Sequence, residues 1–178
     1  PWYIAILLVL VATVLLGVLI EKAAYAPIRS APRISLLISS IGVSYLLENL
    51  ATVVFTGVPR QFPKIGTLQD NIVIGGINIQ QLSFVTPVLM LLLVLALMVL
   101  VDKTKAGMAM RAVSKDFETA KLMGVNINRT IATTFAVGSL LAAVGAIMWG
   151  QKYPQIQPYV GVMPGLKCFI AAVIGGIG

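Results

Sequence analysis

The stretch SFVTPVLMLLLVLALMVLV, Ser83 to Val101, decides what kind of fold this chain can have. It carries no charged side chain, and at about 1.5 Å per residue a helix of this length nearly matches the roughly 30 Å of a bilayer's hydrocarbon core. Three other runs share its length and apolar character: Trp2 to Ile20, Ile34 to Phe55 and Ile131 to Gly150. Unpaired backbone groups are costly in lipid, so such runs are read as helices rather than as open strands. A fifth run, 165–178, is too short to cross as a helix. Together with Pro1 in the first position, it predicts a piece of a longer protein, with re-entrant structure at the C-terminus as the alternative.

Composition agrees with this reading. The chain is 58% hydrophobic and 11% charged, with a mean hydropathy of +0.97, outside the range of soluble globular domains. We therefore expect an all-α, polytopic transmembrane helical fold over 1–178, in contact with membrane lipid. The net charge of +7 does not point to nucleic acid, because the basic residues are dispersed through loops between apolar runs. With no histidine and a single cysteine, Cys168, the chain can build neither a histidine-based triad, nor a zinc-type cluster, nor an internal disulfide. It has no Gly-rich phosphate loop ending in Gly-Lys-Ser/Thr. No catalytic or metal-binding residue and no cofactor is expected in this chain, so energy for any transport must come from a partner or an ion gradient.

Loop charge orients the spans. The segments 21–33 and 102–130 hold Lys22, Arg29, Arg33, Lys103, Lys105, Arg111, Lys115, Lys121 and Arg129, whereas the opposite side receives Arg60, Lys64, Lys152 and Lys167. The positive-inside rule assigns the first pair of segments to the cytoplasm. On the other side, Ile72-Val73-Ile74 and Ile77-Asn78-Ile79 flank Gly75-Gly76, which predicts a short extracytoplasmic β-hairpin. Pro154, Pro158 and Pro164 predict an irregular second outer loop.

The stretch DFETAKLMGVNINR, 116–129, stands out in the long cytoplasmic loop. Ser114 can cap a helix, Asp116 and Glu118 fall in its first turns, Lys121 near its end and Gly124 just past it. Phe117, Ala120 and Met123 recur at spacing three, with Leu122 and Val125 beside them. So short a helix needs contacts to persist. Spacing alone leaves open whether its apolar face folds onto its own helix ends or inserts into a groove on another subunit.

Within the spans, Glu48 is the only acidic side chain at depth, next to Asn49 and one turn past Ser44. An ionisable group there is a functional candidate by default. Hydrogen bonding to a neighbouring helix and reaching for the outer surface are the structural alternatives. Gly138, Ala142, Ala146 and Gly150 recur every fourth residue, the pattern of a helix-packing stripe.

Glu118-Thr119-Ala120 followed three residues later by Gly124 resembles the Glu-Ala-Ala-x-x-x-Gly loop of bacterial ABC-importer permeases. The blocks GMAMRAVSKDFETAKLMGVNINRTIATTFAVGSLLAAVGAIMWG, PYVGVMPGLKCFIAAVIGGIG and EKAAYAPIRSAPRISLLISSIGVSYLLEN resemble the permease subunits for branched-chain amino acids. Three departures stand beside the likeness: Thr119 replaces the usual alanine, the Ile-x-Leu-Pro tail that many importer permeases carry after the glycine is missing, which is similar to what this subfamily shows, and the family's glycine-rich early helices with Asn-Phe-Ala-His-Gly are absent. The resemblance implies a multi-pass permease of the bacterial inner membrane with 102–130 as its coupling loop. It would work with two ATP-binding subunits that carry ATP and Mg, a second permease subunit and an extracytoplasmic solute-binding protein. Arg111, Asp116, Phe117, Glu118, Ala120, Leu122, Met123 and Gly124 would make the ATPase contact, and Ser44, Glu48 and Asn49 would border the translocation path. An ion-gradient-driven secondary transporter using Glu48 is the alternative.

Overall fold

A computed structural model describes residues 2–28, 31–63, 71–74 and 77–176. Pro1, Arg29, Lys64, the Gly75-Gly76 turn and 177–178 lie outside the described residues.

Among the described residues four helices are long and apolar enough to cross a membrane, and they follow the four runs read from the sequence. Helix α1 covers Trp2–Ile20, α2 Arg33–Phe55, α3 Leu82–Lys103 and α6 Ile127–Lys152. Two shorter helices lie between α3 and α6: α4, Lys105–Lys115, and α5, Phe117–Leu122. A seventh, α7, covers Val162–Ile174 and admits Pro164 in its first turn, where a missing N–H costs no helical bond. Among the described residues the fold is thus all-α apart from two short antiparallel pairings. Strands β2 (Asn71–Ile74) and β3 (Ile77–Gln80) pair with Ile74 opposite Ile77, the register of a two-residue hairpin. Strands β1 (Arg60–Gln61) and β4 (Gln155–Ile156) tie the loop after α2 to the loop after α6. The second outer loop is therefore not wholly irregular: between two of its prolines it has room for this two-residue bridge.

Helix α1 lies along α6, and glycine sets how closely. A Cβ on Gly17 would stand 1.8 Å from Ser139 Oγ and 2.7 Å from Ser139 Cβ, so no larger residue fits without moving a helix. From α6, Ala143 and Ile147 are buried. Below the contact, α1 widens into a π-helical turn, Glu21–Tyr25, in which the Ala26 N–H reaches back to the Glu21 carbonyl. A 3₁₀ turn, Ala26–Ile28, follows. The wide turn buries Glu21, and Tyr25 meets the Phe135 ring at 5.2 Å between centroids.

At the opposite end, Gly150 of α6 faces the Phe62 ring, where a Cβ would come within 3.2 Å. Buried Gln151 donates from Nε2 to the Pro63 carbonyl at 3.2 Å. By contrast, no residue in the span Ser35–Phe55 is buried. Apolar side chains of α2 and α3 such as Val53, Val54, Leu91 and Leu95 stand exposed, a surface suited to lipid or further helices rather than water.

Candidate functional site

The 29-residue segment 102–130 is built of capped pieces rather than loop. Thr104 is extended and its Oγ1 accepts the Gly107 N–H at 3.1 Å, which starts α4 immediately after α3. Gly107 allows this turn, because a Cβ there would lie 2.2 Å from the Val101 carbonyl oxygen. Arg111 braces it, with Nη1 3.2 Å from Asp102 Oδ1 and Nη2 donating to the Asp102 carbonyl.

The cap of the short helix differs from the sequence expectation. Ser114 donates to the Arg111 carbonyl inside α4, and Asp116 caps α5 instead, from an extended backbone. Its Oδ1 accepts the Glu118 N–H at 2.9 Å and its Oδ2 accepts the Thr119 hydroxyl. These bonds, the Thr119 hydroxyl foremost and the backbone N–H groups after it, hold the Asp116 carboxyl below the usual carboxylate range. Thr119, the departure from the usual alanine, is therefore part of the cap.

Gly124 closes α5 at φ +82°, where an L side chain is strained. The Gly124 N–H reaches the Lys121 carbonyl and the Val125 N–H the Ala120 carbonyl, both at 3.1 Å, the paired bonds of a Schellman stop. Two residues later Asn126 caps α6 by accepting the Arg129 N–H at 3.2 Å.

These caps fix what α5 presents. Ala120 points inward and is 2% exposed, so it lies apart from the face expected to dock. Phe117, Leu122 and Met123 are 50%, 88% and 79% exposed, a projecting apolar knob with Glu118 and Lys121 also exposed. Arg111 is held back against Asp102.

In α2, Ser44 Oγ donates to Glu48 Oε1 at 3.3 Å. Asn49 lies on the neighbouring exposed row and ties its Nδ2 to the Tyr45 carbonyl at 2.7 Å, so it does not share the Glu48 face. Sequence reasoning missed that Ser40 and Thr52 extend the Ser44, Glu48 row at spacing four, a signal that was readable. Thr52 donates to the Glu48 carbonyl, and its Oγ1 lies 3.4 Å from the Tyr159 hydroxyl, across 107 residues of chain.

In α6, Gly138, Ala142 and Ala146 are exposed, and only Gly150 of that row is buried. Among the described residues, the surface that packs on α1 is the adjacent one bearing Ser139, Ala143 and Ile147. No group of three or more metal-ligating side chains occurs among the described residues.

Four apolar spans with capped helices at the ends define a multi-pass helical membrane protein. The chain belongs to the family of branched-chain amino acid transport system permease components, whose model matches residues 1–178. It is 37% identical over 164 residues to the high-affinity branched-chain amino acid transport system permease protein LivH of Escherichia coli (strain K12), covering 89% of this chain and 53% of that protein. To the corresponding permease protein BraD of Pseudomonas aeruginosa it is 35% identical over 174 residues, covering 95% of this chain and 56% of BraD. A weaker likeness, 34% over 92 residues, links it to the xylose transport system permease protein XylH of E. coli and covers 51% of this chain and 23% of XylH. The chain spans about half the length of the first two relatives. No solved structure matches it.

Proposed function

We propose that this chain is the permease part of an ATP-driven importer that carries branched-chain or similar small amino acids across the bacterial inner membrane. ATP and Mg would bind on two partner subunits, a second permease would complete the path, and an extracytoplasmic binding protein would deliver the solute. The observation that carries this reading is α5, a six-residue helix stopped at both ends that holds Phe117, Leu122 and Met123 out from its own chain. An apolar knob on a rigid two-ended mount suits insertion into a groove on another protein. Its side of the membrane has nine of the thirteen basic residues, which supports the cytoplasmic face. Closure of two ATP-binding subunits would then push each α5. The push would pass through the Asp116 and Asn126 caps into α4 and α6, and so into the spans.

The test is co-purification of the full-length permease with its ATPase and reconstitution with the binding protein. Phe117→Asp should leave the permease in the membrane but abolish solute-stimulated ATP hydrolysis. Gly124→Val, which forces a β-branched residue to φ +82°, should misaim the knob and lower the yield of transport per ATP. A folded permease that imports without any ATPase in the eluate would sink the reading and turn attention to an ion gradient acting at Glu48.

A further inference from the structure

We propose that one face of α2 is the solute-contacting wall of the path, and that Glu48 supplies the counter-charge for the ammonium group of the solute in transit. This rests on the amino-acid importer reading above and adds to it a role for a particular side chain.

The face has two parallel rows. Ser40, Ser44, Glu48 and Thr52 recur every four residues and form a polar row. Val43, Leu47 and Ala51, at the same spacing, form an aliphatic row beside it. Except for exposed Ser44, these residues are only partly exposed, whereas Ile41, Tyr45, Leu46, Leu50, Val53 and Val54 are exposed on the other faces of the helix. The paired rows are therefore the less exposed face of α2, and the exposed faces are largely apolar, with Asn49 a polar exception.

Glu48 is the charged member of the face. It lies about 20 Å along the helix from Ser35 and about 10 Å from Phe55 at 1.5 Å per residue, well inside the span. Among the described residues it has no cationic partner, and its side chain accepts a hydrogen bond from the Ser44 hydroxyl. A carboxylate at that depth faces the bundle interior or water rather than lipid. At the outer end the polar row continues to the Tyr159 hydroxyl beside Thr52, a second contact point from the turn before α7.

A branched-chain amino acid has the matching two-sided chemistry. Its ammonium group needs an anionic or hydroxyl-rich row when it leaves water, and its branched alkyl chain needs an aliphatic one. The rows on α2 offer both side by side. A solute without a cationic group would have no use for the carboxylate.

The experiment uses the complete transporter in proteoliposomes, reading leucine imported per ATP hydrolysed for Glu48→Gln and Glu48→Asp. Neutralisation should lower that ratio about tenfold or more, as expected for loss of a charged hydrogen-bonding partner, with ATP hydrolysis retained, and Asp should restore most of it. A Glu48→Cys, Cys168→Ser protein should react with a membrane-impermeant cationic thiol reagent, and leucine delivered by the binding protein should slow that reaction. This arm decides the question if the Gln variant fails to assemble. Wild-type import by the Gln variant, equal loss with Gln and Asp, or a Glu48→Cys thiol that the reagent never reaches would each overturn the assignment. Absence of ATP-dependent leucine uptake by the unaltered transporter would instead overturn the importer reading.

Discussion

At the scale of single residues, the end of α4 and the start of α5 turn on Asp116. Its carboxyl is held below the ordinary range by donors that favour its charged form, the Thr119 hydroxyl above all. The sign follows from linkage: a folded-state pKa lowered from the unfolded value gives stability that is fully present above the unfolded value, about 3.9. That contribution is lost as pH falls from there through the lowered folded value. Hydrogen exchange at the α5 amides, corrected for intrinsic pH dependence, should therefore stay slow near neutrality and accelerate in that acid window. Asp116→Asn, which keeps an acceptor but cannot titrate there, should flatten the acid response. The sequence pointed to a capped, glycine-terminated helix but named Ser114 as a capping residue. Ser114 and Asp116 are both cap-forming types two residues apart, and local composition cannot rank them. What separates them is the Thr104 cap ten residues earlier, which starts α4 and carries it through to Lys115.

At the scale of elements, the spans were legible because hydropathy alone marks them, and their ends moved by only a few residues. Helix α4 was not, because its inward face is Gly107, Met110 and Val113, with a glycine where an apolar side chain would have announced it. That glycine answers to the carbonyls of Leu100 and Val101, a contact between elements that no window of sequence displays. The same holds for α1 against α6. The Gly138 row advertised itself as the packing surface, yet Ser139 is the residue beneath Gly17. Gly17→Ala should destabilise the pair by about 1–3 kcal/mol, the usual cost of overpacking, read as a lowered midpoint of thermal unfolding in detergent. Ser139→Gly, which removes both clashing atoms, should recover much of that loss in a double-mutant cycle, and Ser139→Ala, which keeps the Cβ at 2.7 Å, should recover less. Additive effects of Gly17→Ala and Ser139→Gly would show that the two helices do not meet there.

At the scale of the molecule, fold class was fully legible, since a chain this apolar has few alternatives, while the use of its outer surfaces was not. Both α2 and α3 read as spans and neither buries a residue along its apolar window; the structure separates them by their partly exposed faces, which hold a polar row beside an aliphatic one on α2 but Leu89, Leu93 and Leu97 on α3. Leu91, 66% exposed and near the middle of α3, belongs to a surface that only lipid or another apolar helix can cover. Leu91→Arg should therefore reduce membrane-inserted protein, in line with the roughly 2.5–3.5 kcal/mol cost of a charge at a helix centre, and Leu91→Met should leave it unchanged. Quantifying the membrane fraction of each variant checks this.

The π-helical turn at Glu21–Tyr25 bears on how the length of this chain can vary. A π turn holds one residue more than the α turn it replaces. Excising one residue there would return the backbone to ordinary pitch and keep Gly17 aimed at Ser139. Excising one anywhere within α1 before Gly17 would instead spin everything upstream by about 100°. The chain thus contains a slack stitch: one place in its first span where a codon can be lost while the face toward α6 stays in phase.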